Sequence, residues 1–316
     1  MQNWFSIRLP LSEKTNFWLS VMAFVLPLGI WSAFSYLPFL WHPQVLIQQA
    51  GGTYFREDDR VNKKDFQQEN QRVAVDGGQQ AVGRRVNPSY LPAPHEVGKA
   101  FYVAFKTPPR RKGDKWLHQS IWDSIEVIFW GFMMSSIIGV PLGILCGSFS
   151  FFSRLNEPFI DFVRYMPAPA FGPLAVAILG INDAPKISIV IIGTFFQQVL
   201  VIANTTRQFD NSLIETAQTL GADRLKLIRS VIVPGILPEL YRDMRILLGW
   251  AWTYLIVAEI IGAKSGISLF ITQQAKYRNY DNVFAGIIII GLIGFLTDQI
   301  LGLIGNQLFV WEEREL

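Results

Sequence analysis

Four polar side chains stand inside long apolar runs, where each needs a reason to be. Glu259 and Asp298 are the single acids that interrupt the runs Ile246–Ala263 and Asn282–Trp311, and Gln197 and Gln198 lie within Ile187–Thr206. Such groups face protein or a water-filled path rather than hydrocarbon. Glu259 therefore either lines a gate or solute path, or it bonds loop backbone or pairs with Lys264, five residues on. Asp298 has the same two readings, a packing or hydrogen-bonding role or a place on the path. The two glutamines donate either to an anion or to a neighbouring helix. No constellation for catalysis is visible. His42, His95 and His118 are scattered without metal-ligand spacing, and no nucleophile stands beside a base. There is no G-x-x-x-x-G-K-[ST] loop to cradle phosphates, because Ala263-Lys264-Ser265 lacks the glycine before the lysine. The chain is expected to hold no metal and no cofactor and to catalyse nothing itself.

The elements that carry these residues are membrane spans. The 316 residues are 50% hydrophobic and 17% charged, against about 25% charged in soluble domains. A bilayer core of about 30 Å takes about 20 apolar residues as a helix. Six runs meet that length, near 17–40, 124–148, 160–182, 186–206, 244–263 and 283–309. Six such runs exclude a soluble globular chain. The first is longer than a signal peptide's apolar region and no small-x-small site follows it. Cys146 is the only cysteine, so no intrachain disulfide forms. The net charge of +3 comes without interleaved basic and aromatic residues, which excludes a nucleic-acid partner. Arg110-Arg111-Lys112 reads as a solvated or headgroup-facing patch.

Lys and Arg in short connections decide orientation. Their excess on the segments holding Arg154, Arg207, Arg224, Lys226, Arg229, Arg242 and Arg245 places both termini inside. Residues 1–43 are then an inner terminus and the first span, 44–119 a long outer loop, 120–310 the core and 311–316 an inner tail. Within the loop, 50–88 is polar, without a sustained hydrophobic period, and reads as a flexible or only locally folded insertion. Leu91-Pro92-Ala93-Pro94 is a rigid turn, and His95–Phe105 is amphipathic, lying along the membrane surface or against the bundle.

Two patterns mark the spans. Gly139, Gly143 and Gly147 form a small-xxx-small face, for packing within the bundle or for a dimer seam. Pro167, Pro169 and Pro173 break the third span. Broken backbone is tolerated where protein or water satisfies the freed carbonyls, so this break marks either a translocation path or a structural kink.

The polar segment 210–234 lies between spans. Ser212-Leu213-Ile214-Glu215 fits a capping box. The helix it starts runs through Ala217 and Leu220, and Gly221 suits a left-handed C-terminal cap. Asp223 caps a second helix, and Pro234 helps end it. This helix–turn–helix either docks in a partner's groove or lies on lipid as an interfacial pair.

Glu215-x-Ala217-x-x-x-Gly221, nine residues, then Val231-Ile232-Val233-Pro234 resembles the EAA loop of binding-protein-dependent ABC importer permeases. Leu91-Pro92-Ala93-Pro94, Arg164-Tyr165-Met166-Pro167, Leu179-Gly180-Ile181, Gly249-Trp250-Ala251-Trp252 and Val257–Ile267 are similar to the nitrate/sulfonate/taurine/bicarbonate branch. The resemblance covers roughly residues 17–43 and 90–310, and the 50–88 insertion departs from it. It implies an all-α membrane protein with six transmembrane helices and the type I ABC importer permease fold, in a bacterial inner membrane. Ser212, Glu215, Ala217, Gly221, Asp223 and Pro234 would couple to the motor, while Pro167, Gln197, Gln198 and Glu259 would border the pathway. The implied partners are two ABC ATP-binding subunits, which bind the ATP, a second copy of this chain, a periplasmic solute-binding protein and the lipid bilayer. The implied solute is a small anion, for which Glu259 would be a gating group rather than a ligand. The alternative is another small solute, such as a nucleobase precursor or an amino acid.

Overall fold

The computed structural model describes residues 11–109, 113–261 and 265–311. They form two compact units: the described part of Met1–Lys106 with Gln274–Ala285, and that of Thr107–Gln273 with Gly286–Leu316.

In the first unit, α1 (Glu13–Tyr36) starts at Ser12, whose hydroxyl accepts from the Thr15 amide. It stops at Leu37 because the residue before Pro38 is pushed out of helical geometry. Its Phe17, Trp18, Phe24 and Leu26 are all exposed, as lipid-facing side chains are. After α2 (Pro38–Trp41), the strands β1 (Gln44–Gln49), β2 (Arg60–Asn62) and β3 (Val82–Val86) form an antiparallel sheet in the order β2-β1-β3.

The insertion thus has a local fold, which adds a small sheet to a chain expected to be all-helical. Ile47, Phe55 and Ala81 are buried against Phe66 of α3 (Lys63–Val75). Asn70 of α3 bonds both the amide and the carbonyl of Ala81, at 2.8 and 3.0 Å. Pattern reading misses this core because it is assembled from a few residues each of strand, loop and helix, and β1 begins before the polar stretch does. In α4 (Pro94–Lys106), Val97 and Ala100 are buried against Trp31, Phe284 and Ala285. The amphipathic segment therefore packs on span helices.

In the second unit, α5 (Leu117–Ser148) lies along α8 (Ala184–Arg207). A Cβ added at Gly131 would meet Val190, at Gly139 Gln198, at Gly143 Ile202 and at Gly147 Thr206. The paired numbers rise together, so the two helices run parallel. The glycine face thus packs within the chain, which favours bundle packing over a dimer seam. Between them, α6 (Ser150–Val163), a 3-10 turn (Ala168–Phe171) and α7 (Gly172–Leu179) make a pair bent by 83°.

Next come α9 (Asn211–Thr219), α10 (Arg224–Leu227), a π-turn (Ile228–Ile232), α11 (Val233–Ile261), α12 (Ile267–Lys276) and α13 (Tyr280–Leu308). Among the described residues, five helices are long and apolar enough to cross a membrane, or six if the bent pair counts as one. The fifth expected span starts at Val233 rather than near 244. Its early charges, Glu239, Arg242 and Arg245, find ion-pair partners within the chain and do not break the helix.

Candidate functional site: the α9–α10 element and the helices behind it

The cap of α9 lies two residues before the expected one. Asp210, not Ser212, is the N-cap, and its carboxylate accepts from the Ser212 amide at 2.8 Å and from the Ser212 hydroxyl at 2.8 Å. The run Asp210-Asn211-Ser212 offers three capping residues, and only the backbone geometry selects among them. The two donors from Ser212 hold the exposed Asp210 carboxyl below the usual carboxylate range. Ser212 is now a first-turn residue, and its carbonyl accepts from the Thr216 hydroxyl at 2.7 Å. Glu215 is exposed on the helix surface and Ala217 is half-buried.

The C-terminal end follows the expectation. Gly221 has φ +81°, its amide donates to Gln218 O at 2.9 Å, and the Ala222 amide donates to Ala217 O at 3.0 Å. That pair of bonds is a Schellman motif, which requires the left-handed residue. Asp223 then caps α10, accepting from the Lys226 amide at 2.7 Å.

Pro234 does not end the second helix. It follows the π-turn and sits at the second position of α11. The Val233 amide reaches five residues back to Ile228 O. This i→i−5 step and the early helical position accommodate a residue without an N–H.

The element presents apolar groups outward and is anchored inward. Leu213, Leu220 and Leu225 are 50%, 83% and 73% exposed. Ile214 and Leu227 pack on a buried cluster of Ile202 from α8 with Ile232, Ile236 and Leu240. The rigid turn is thereby joined by packing to two spanning helices.

Of the expected pathway residues, the structure groups none with another at one open surface. Pro167 is exposed in the break between α6 and α7. Gln197 is half-buried. Gln198 is fully buried, accepting from the Ser135 hydroxyl at 2.7 Å and donating to the Ser136 hydroxyl at 3.2 Å. It ties α8 to α5, the neighbouring-helix role. Glu259 is also fully buried. Its carboxylate accepts from the Ser124 hydroxyl and, at 2.8 Å, from the Ser268 amide. The Ile267 amide donates to Ser124 Oγ at 2.9 Å. The loop-backbone role is therefore the observed one, while Lys264 lies outside the described residues. Asp298 takes a bidentate bond from Arg245, with both nitrogens at 3.0 Å.

Lys186 stands out only in three dimensions. Its side chain is 1% exposed and donates to Asp183 at 2.7 Å and to Ser265 O at 3.2 Å. It also acts electrostatically on Glu259. In the sequence it is one lysine in a short connection, with no mark of burial.

Residues 139–309 match the family described as binding-protein-dependent transport system inner membrane component. A probable ABC transporter permease protein of Brucella abortus (strain 2308) is 32% identical over 194 residues, covering 61% of this chain and 78% of the relative. The taurine transport system permease protein of Escherichia coli K12 is 30% identical over 227 residues, covering 72% and 82%. Among solved structures, the methionine ABC transporter MetNI in an inward-facing conformation superposes with a TM-score of 0.54 at 20% identity. That superposition covers 61% of this chain and 94% of the other, and it shows a shared fold.

Proposed function

This chain belongs to the inner membrane components of binding-protein-dependent transport systems, and we propose that it forms the translocation pathway of an ATP-driven importer for a small anion. Its own part is non-catalytic. ATP is bound and hydrolysed by two partner subunits, a second copy of this chain completes the pathway, and a periplasmic receptor delivers the solute. The taurine permease among its relatives supports an oxyanion such as a sulfonate, nitrate or bicarbonate. Both termini and the α9–α10 element lie on the cytoplasmic side in this reading, and the β1–β3 insertion lies in the periplasm.

One observation carries the reading: a doubly capped, rigid turn exposes three leucines and is packed onto the spans through Ile214 and Leu227. Exposed leucines on a polar segment suit a partner's groove. A push on α9 is transmitted through Ile214 and Leu227 to α8 and α11, because packed elements move as bodies rather than deform. The bent pair around Pro167 is the segment placed along the solute's route, since irregular backbone at membrane depth lines cavities.

The test is reconstitution. Purified with its ATPase and receptor in proteoliposomes, the wild type takes up the receptor's solute only with ATP. Leu220→Asp keeps the size-exclusion profile of the permease and loses both ATPase association and uptake. Undiminished association of Leu220→Asp would refute the docking assignment.

A further inference from the structure

Where α5 ends at Ser148 and α6 begins at Ser150, the chain turns through the single residue Phe149. A cavity of about 610 Å³ opens at this elbow. Two spanning helices, α5 and α8, end at its walls, so it lies at headgroup depth rather than in hydrocarbon.

The polar wall is rich in donors, beside the side-chain amides of Asn211 and Gln218. Arg207 and Arg224 line it, and no acid does. Arg207 is engaged by Glu157 and Ser153, whereas no ion pair to Arg224 is found among the described residues. The Ser148 hydroxyl also lines the cavity, and its oxygen is buried without a hydrogen-bond partner. The 14-residue α6 has no side-chain cap, so its first amides add to the same demand for acceptor oxygens. A group with several anionic oxygens satisfies these donors together.

The remaining wall is apolar and continues outward. Phe151 lines the cavity and starts a stripe with Leu155, Phe159 and Phe162 on one face of α6, each 62–70% exposed. An inorganic anion would leave that stripe unused, whereas an amphiphile uses both parts. We propose that this elbow binds the phosphate headgroup of an anionic phospholipid, with its acyl chains along the Phe151–Phe162 stripe. Gln218 of α9 and Arg224 of α10 belong to the same wall, so an occupied site braces the coupling element. That last clause rests on the proposed function.

The experiment titrates phosphatidylglycerol and phosphatidylcholine onto the purified permease–ATPase complex, read by native mass spectrometry. ATP hydrolysis is measured in nanodiscs of each lipid. The wild type retains phosphatidylglycerol over phosphatidylcholine and hydrolyses ATP faster in its presence. Arg224→Gln, on an exposed helix, keeps the size-exclusion profile and retains phosphatidylglycerol about tenfold more weakly, the factor for one lost charge-assisted bond. Equal retention of the two lipids by the wild type overturns the site without recourse to a variant. Equal phosphatidylglycerol retention by Arg224→Gln overturns it as well. Displacement of the lipid by millimolar inorganic phosphate overturns the lipid assignment in favour of a soluble phosphate. Retention with unchanged hydrolysis overturns the bracing clause and upholds the lipid site. If no ATPase co-purifies, the titration is run on the permease alone. Arg224-dependent retention there upholds the site and counts against the proposed function only.

Discussion

The Ser268 amide donates to the Glu259 carboxylate across 2.8 Å, joining the end of α11 to the start of α12 inside the protein. The carboxylate also takes the Ser124 hydroxyl from α5, and a Cβ at Gly266 would collide with it. One buried acid thus organises a turn, a glycine and a neighbouring helix.

Glu259→Ala is expected to orphan the buried Ser268 amide, at about 1–3 kcal/mol, and to remove one of the two acids acting on Lys186, which keeps Asp183, while the Ser124 hydroxyl still has Ser120 O at 3.0 Å. Glu259→Gln keeps an acceptor and costs less. Lys186→Met combined with Glu259→Gln should be less destabilising than the sum of the two by about 0.5–3 kcal/mol, as for coupled neighbours. Thermal unfolding of the detergent-solubilised protein measures all four variants. Strict additivity would show that the two charges are independent.

Gly221→Val is expected to uncouple the transporter more than it unfolds it. No atom lies within 4 Å of the added Cβ, so the cost is the left-handed backbone alone, about 1–3 kcal/mol. Membrane insertion stays normal while ATPase association and uptake fall. Gly221→Asn, whose side chain tolerates that conformation, should retain most of both. Wild-type uptake by Gly221→Val would sink the assignment of the α9–α10 turn.

Gly143→Ala is expected to cost about 1–3 kcal/mol by overpacking. Its Cβ would stand 2.8 Å from Ile202 Cβ and 3.0 Å from Val199 O. Gly249→Ala, with nothing within 4 Å, serves as the helical control and should be neutral or slightly stabilising. Equal melting of the two variants would contradict the close parallel packing of α5 and α8.

Association through α9 should depend on pH in one direction. The amide and hydroxyl of Ser212 lower the Asp210 pKa by bonding its charged form. A carboxylate so lowered stabilises the folded state above its unfolded pKa, and that contribution is lost as pH falls through the folded value. ATPase retention is therefore flat at neutral pH and weakens below the ordinary aspartate range. Asp210→Asn, which keeps an acceptor, should flatten the acid limb in a pull-down across pH.

A cysteine at Gln68, exposed on α3, is expected to react with a membrane-impermeant thiol reagent in intact cells. The native Cys146 is buried, so the introduced thiol is the reporter. Labelling only after lysis would reverse the proposed orientation.

By itself the sequence determined the membrane class, the breaks at Pro167 and Gly221, and the capped turn between spans. These are local matters: charge-free length, a missing N–H, a left-handed position and a capping acid each act within a few residues. Tertiary structure decided the rest, because its partners are far apart in the chain. Glu259 reads equally as gate or anchor until Ser124, 135 residues away, is seen donating to it. Lys186 looks like any loop lysine until Ser265 closes over it. Asp298 stays ambiguous until Arg245 meets it. The insertion has no period to read, since its core takes single residues from strand, loop and helix, and packing rather than pattern brings Ile47, Phe55 and Ala81 together. Even the cap of α9 is decided beyond the local sequence, because Asp210 and Ser212 both satisfy the local rule and only the backbone path between α8 and α9 chooses one.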